Sequence, residues 1–187
     1  MEQEIQRCIA VLKKGGTILY PTDTIWGIGC DATNAEAVEK VYQLKNRPGE
    51  KAMIVLVADE KDILKHVAAP DLQIFDYLGK TKKPTTVIYD GAIGLAENLS
   101  GMDGSIAIRI CHEPFCRHLI KRFRKPIVST SANFSGKQGA ATFGEIIEEI
   151  KTGVDYIVMY RRHDFAAASP SSVIKWNKNG SVTIIRP

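Results

Sequence analysis

Four stretches of this chain crowd hydroxyl, amide, cationic and small residues closely enough to handle a polar ligand. The first is Pro21-Thr22-Asp23-Thr24-Ile25-Trp26-Gly27-Ile28-Gly29, whose threonine hydroxyls and glycines let a small polar molecule approach the backbone. The second is Lys45-Asn46-Arg47-Pro48-Gly49-Glu50-Lys51, with three cations in seven residues. Proline and glycine project those cations into a loop where they can converge on an anion, although cations also suit a helix C-terminus for the sake of its dipole. The third, Ser129-Thr130-Ser131-Ala132-Asn133-Phe134-Ser135-Gly136, offers hydrogen bonds and close backbone approach to phosphates. It lacks the Gly-x-x-x-x-Gly-Lys-Ser/Thr pattern of a Walker loop. In isolation it reads rather as a solvated serine-rich turn. The fourth comes in two pieces, Ser169-Pro170-Ser171-Ser172-Val173 and Arg186-Pro187.

These stretches need elements to position them. Ile5, Cys8, Ile9 and Leu12 recur at helical spacing and Gly15-Gly16 stops them, which predicts a first helix. Thr17 to Tyr20 and Ile25 to Gly29 read as extended. Asn34 reads as the N-cap of a second helix with Val38, Val41 and Tyr42 on one face. The apolar run from Met53 to Val57 predicts a buried strand. Short helices are expected near Lys61–His66 and Asp71–Leu78, and strands at Thr86–Tyr89, Ser105–Ile110, Ile127–Val128 and Tyr156–Met159. Pro114 opens a helix running to Phe123, and Thr142-Phe143-Gly144-Glu145 fits a capping box for another reaching Lys151. Ser172–Trp176 and Ser181–Ile185 read as a hairpin turned near Asn179-Gly180. The two pieces of the fourth stretch flank that hairpin, so both can reach one cleft. With no repeat, low-complexity tract or linker, residues 1–187 are expected to form one domain: a mixed sheet covered by helices.

Composition bounds the rest. The 187 residues are 44% hydrophobic and 25% charged, values of an ordinary soluble globular protein. No apolar run nears the roughly 18 residues a membrane helix needs, and the acidic start Met1-Glu2-Gln3-Glu4 is no signal peptide, so a cytoplasmic protein without membrane partners is expected. A net charge of +4 suits anionic ligands and permits RNA contact. Cys111-His112-Glu113 and Cys116-Arg117-His118 carry ligand-type residues, but their spacing fits no common zinc motif, and no protein-bound metal is expected.

Taken in order, the segments resemble the YrdC domain family of threonylcarbamoyl-AMP synthases. The resemblance rests on Lys14-Gly15-Gly16, Pro21-Thr22-Asp23-Thr24 with Gly27-Ile28-Gly29, Lys45-x-Arg47-Pro48, Ser105-x-x-x-Arg109, Ser129-Thr130-Ser131-Ala132-Asn133-x-Ser135-Gly136, Pro170-Ser171-Ser172-Val173 and Arg186-Pro187. It implies an α/β fold with a twisted mixed sheet flanked by helices and a basic concave cavity. It implies condensation of L-threonine, bicarbonate and ATP, the last with Mg²⁺, to threonylcarbamoyl-AMP and pyrophosphate. Downstream proteins would transfer the group to tRNA. By the same resemblance, Thr24, Arg109, Ser129 and Ser171 match threonine-holding positions. Arg47, Lys51, Ser105, Ser131, Asn133 and Arg186 match ATP-holding ones. Lys45 and Arg47 match the basic pair at the reacting centre. Leu56 stands where the family often has a histidine near the threonine pocket, and Gly139 where it often has a hydroxyl residue.

The chemistry suits such residues. Threonine's carboxylate, bicarbonate and a triphosphate repel one another, and cations in a poorly screened cleft offset that repulsion. Two other functions fit the same sequence. One is a double-stranded RNA or tRNA-binding module using Arg117, Lys121, Arg122, Arg124 and Lys125, a run that also reads as a solvated helix face, as does Arg161-Arg162-His163. The other is a paralogue of the fold with a different acceptor.

Overall fold

The structure, a computed structural model, describes residues 1–47, 52–164, 166, 168–177 and 179–187. Among these residues six α-helices appear in order: α1 (Glu2–Lys13), α2 (Ala35–Leu44), α3 (Glu60–His66), α4 (Gln73–Lys80), α5 (Pro114–Phe123) and α6 (Glu148–Gly153). The strands are β1 (Ile18–Tyr20), β2 (Gly27–Gly29), β3 (Ile54–Val57), β4 (Thr85–Tyr89), β5 (Ile106–Ile110), β6 (Ile127–Ser131), β7 (Tyr156–Ile157), β8 (Ser172–Trp176) and β9 (Val182–Arg186). They form one mixed sheet in the order β7-β1-β2-β6-β3-β5-β4-β8-β9. The pairs β1–β7, β3–β5 and β4–β8 are parallel, and the remaining pairs are antiparallel.

Alternation along the strands divides the core in two. Leu19, Ile28, Val55, Val57, Val87, Ile108, Val128 and Ile174 face one side, where α2, α3, α4 and α6 deliver Val38, Val41, Ile63, Ile74 and Ile150. Ile18, Tyr20, Leu56 and Ile127 face the other, under Ile5, Cys8 and Leu12 of α1 and Phe115, Cys116 and Leu119 of α5. Those two helices cover only part of that face. Gly27, Ile54, Thr86, Arg109, Ser129 and Ser131 share it by strand alternation, and they are where the ligand-type residues collect.

Local signals behave as their chemistry dictates. Asn34 accepts the Ala37 N–H at 3.1 Å and starts α2, while Glu113 accepts the Cys116 N–H at 2.8 Å and starts α5 behind Pro114 at its first turn. The helix expected from Thr142 is different. Phe143–Glu145 forms a single 3₁₀ turn, Ile146 is extended, and α6 begins only at Glu148. Glu145 does reach back, but to the N–H of Ala141 at 2.9 Å, so the box closes one residue early and does not nucleate an α-helix. β6 runs three residues beyond the expected Ile127–Val128, because Ser129, Thr130 and Ser131 keep pairing with β3 and β2.

Candidate functional site

The uncovered part of the second face is the floor of a cavity of about 490 Å³. Four cations line it, namely Arg47, Arg109, Lys137 and Arg186, and among the described lining residues there is no carboxylate. Thr24, Ser129, Ser131 and Ser171 supply hydroxyls to the same walls. Trp26 makes part of the wall and is held from behind by the Phe143 ring at 4.8 Å.

Cross-strand register assembles the amino-acid-sized end. Leu56, Arg109, Thr86, Val173 and Arg186 are successive partners across β3, β5, β4, β8 and β9, so both arginines project from one row of the sheet. Arg109 is almost fully buried, donates to the Thr24 hydroxyl at 3.2 Å and lies 3.0 Å from the Asp23 carboxylate. Its Nε and the near Asp23 oxygen both lack a hydrogen-bond partner, so no N–H points along that ion pair and the contact is electrostatic. Thr86 and Ser171 share a hydroxyl–hydroxyl bond of 2.8 Å, and Arg186 donates to the Ser171 carbonyl at 3.0 Å and its hydroxyl at 3.3 Å. Burial, then the charge of Arg109, lowers the Arg186 pKa from its ordinary value.

The Pro21–Thr24 loop is fixed from outside the cavity as well. Cys116 Sγ donates to the Pro21 carbonyl at 2.9 Å, and Arg161 donates to the Thr22 carbonyl at 3.1 Å. Thr22 and Thr24 hydroxyls bond each other at 2.9 Å. Gly27 lies where a Cβ would stand 3.0 Å from Ser129 Oγ, so its bare backbone keeps that hydroxyl in place.

Several expected residues fall elsewhere. Lys45 is 1% exposed, does not line the cavity, and donates from Nζ to the carbonyls of Ser131 and Asn133. The sequence placed it at the reacting centre, whereas its side chain runs under the loop that would contact a nucleotide. Ser105 belongs to a tight turn closed by Asp103 and Gly101, about 13 Å along β5 from Arg109 at strand spacing, and does not line the cavity. Leu56, expected near the threonine pocket, is fully buried among α1 and α5 side chains beside its sheet partner Arg109, and Ile54 is the residue of β3 that lines the cavity. Gly139 does line it, with Ile25 Cδ1 3.0 Å from where a Cβ would be. Lys51 lies outside the described residues. Arg47, Ser131, Asn133 and Arg186 from the ATP set and Thr24, Arg109, Ser129 and Ser171 from the threonine set all line the one cavity. Lys137 and Asp23 were missed: a lone lysine beyond Gly136 carries no pattern, and the partner of Asp23 is set by fold alone.

The cations read as an RNA footprint lie off the cavity. Arg122 pairs with Glu2 at 2.7 Å and Lys125 with Asp31 at 2.6 Å, while Arg162 donates to the carbonyls of Ile157 and Val158.

The family model for Sua5, YciO and YrdC proteins, described as telomere recombination, matches residues 10–187. The chain belongs to this family. Among its Sua5/YciO/YrdC relatives, a protein of Idiomarina loihiensis named threonylcarbamoyl-AMP synthase is 36% identical over 165 residues, 86% of this chain and 87% of its own length. A Pseudoalteromonas translucida protein of the same name is 30% identical over 184 residues, 97% of each chain. The crystal structure of P. abyssi Sua5 complexed with L-threonine superposes with a TM-score of 0.87 at 20% identity, covering all of this chain and 54% of that one. This chain thus spans about half of the P. abyssi protein and shares its mixed-sheet fold.

Proposed function

We propose that this chain is a threonylcarbamoyl-AMP synthase, condensing L-threonine, bicarbonate and ATP, and that its product serves N6-threonylcarbamoyladenosine formation in tRNA. The observation that carries this is the cavity itself: four cations and a set of hydroxyls around a space for two substrates, with no lining carboxylate among the described residues. The names of the two relatives above support the same reaction.

Arg109, compensated by Asp23, with Thr24, Ser129 and Ser171, is assigned to threonine, a zwitterion that needs no net positive field. Arg47, Arg186, Ser131 and Asn133 are assigned to ATP, whose phosphate oxygens suit the planar guanidinium forks and the amide and hydroxyl donors gathered there. The threonine amine takes up bicarbonate with loss of water to give a carbamate. One carbamate oxygen then attacks the α-phosphorus in line, and pyrophosphate leaves with the bond electrons. No covalent protein intermediate is needed, so catalysis rests on positioning and on offsetting anion repulsion. Mg²⁺ would arrive with ATP and be held chiefly by phosphates and water.

The decisive assay is formation of AMP-linked product and pyrophosphate with each substrate withheld in turn. Release that needs ATP, threonine and bicarbonate together is expected. Full-rate pyrophosphate release without threonine, or in the Arg47→Ala and Arg109→Ala variants, would overturn the assignment.

A further inference from the structure

We propose that Lys45 is a positioning residue that never touches substrate and instead clamps, from the far face of the sheet, the turn that presents Ser131 to the nucleotide. The proposal rests on the reading of the cavity given above and deepens it. α2 packs on the face opposite the cavity, through Ala37, Val38, Val41 and Tyr42. Lys45 caps that helix and extends its side chain to the end of β6, meeting the carbonyls of Ser131 and Asn133. Its own carbonyl accepts the Ser135 N–H at 2.9 Å. Clamp and turn are therefore bonded at three points.

Three features assign a role beyond filling space. A buried ammonium is costly unless its protons are taken up, and among the described residues no carboxylate pairs with this one. Its partners are backbone carbonyls of a single segment, and that segment also supplies cavity-lining residues. Ser131 O already accepts the Asn133 N–H at 2.9 Å, a tight turn at Ala132 that the ammonium reinforces. With those carbonyls drawn to the far face, the Ser131 side chain is left on the cavity side. Asn133 finishes the loop by donating from Nδ2 to the carbonyls of Phe134 and Lys137 at 2.8 and 2.7 Å, which also fixes Lys137.

The test uses Lys45→Met, which keeps an unbranched apolar stem but no donor, and Lys45→Gln, which keeps an amide donor. In Lys45→Met the Kd for ATP should rise at least tenfold, with the Kd for threonine within twofold and kcat at saturating ATP within about threefold of the parent. Lys45→Gln should fall between, and it carries the same comparison should Lys45→Met fail to melt cooperatively. A kcat loss of a hundredfold or more with unchanged ATP affinity would put Lys45 at the reacting atoms and overturn the proposal, as would parental values throughout. Amide hydrogen exchange decides the structural half without any reaction. The Asn133 and Ser135 amides should exchange at least tenfold faster in the variants while those of β3 do not change, and parental protection there would overturn the clamp. If the parent itself fails to consume ATP with threonine and bicarbonate, the proposed function falls, and the exchange experiment still judges the clamp.

Discussion

Asp23 and Arg109 meet 3.0 Å apart with both side chains out of solvent, one from the loop after β1 and the other from β5. Removing either partner leaves a buried charge uncompensated, at a cost of about 3–5 kcal/mol, whereas removing both costs far less than the sum. Urea unfolding of Asp23→Asn, Arg109→Gln and the double variant should show that coupling. Additive losses would mean the pair contributes nothing as a pair.

Gly27→Ala introduces a Cβ 3.0 Å from Ser129 Oγ on the cavity floor. The hydroxyl must shift, and the threonine KM should rise roughly tenfold, equivalent to about 1.4 kcal/mol, while the ATP KM stays near the parent's. Steady-state kinetics with each substrate varied in turn will tell. An equal rise in both constants would place the damage elsewhere.

Gly29→Ala is a stability test on the same strand. There a Cβ would come within 2.6 Å of both the Val128 carbonyl and the Tyr20 ring, in the middle of the sheet where backbone has no room to yield. A loss of about 1–3 kcal/mol is expected. A variant as stable as the parent in thermal or urea unfolding would contradict the close packing of β1, β2 and β6.

Burial, and after it the charge of Arg47, pulls the Lys45 ammonium from its ordinary value to about 7. The unfolded chain keeps that proton to about pH 10, while the folded chain sheds it near 7. The unfolded state then binds more protons, so this group makes folding more favourable as pH rises from about 7, by at most about 1.4 kcal/mol per unit. Above about pH 9 the buried Cys8 thiol and Tyr20 phenol, both raised by burial, act the other way. Unfolding at about pH 6.5, 7.5 and 8.5 should therefore show the parent gaining on Lys45→Met, and parallel profiles would contradict a titrating Lys45.

The elements of this fold were legible where periodicity was strong. α1, α2, α5 and the β8–β9 hairpin follow from apolar spacing, the Asn34 and Pro114 start signals and the turn near Gly180. The polar tail of β6 was not, since Ser129-Thr130-Ser131 reads as loop until β2 and β3 are placed on either side. Gly27 and Gly29 look alike in sequence, yet the first opens onto the cavity and the second makes room for the Tyr20 ring. Lys45 and Ser105 were assigned to the site by motif, and the direction of one side chain and the strand position of the other leave both outside the lining of the cavity. Such directions arise from pairings far apart in the chain, which spacing alone does not encode.

β9 is one of the two edge strands, pairs among the described residues with β8 alone, and carries Arg186. Margins of sheets open more readily than interiors. A bound triphosphate gripped by Arg186 would then act as a latch on that margin, and whatever it gains from the guanidinium is spent partly in keeping the last hairpin zipped. On the proposed assignment of Arg186, nucleotide affinity and the fraying of one border strand would be the same equilibrium seen from two ends.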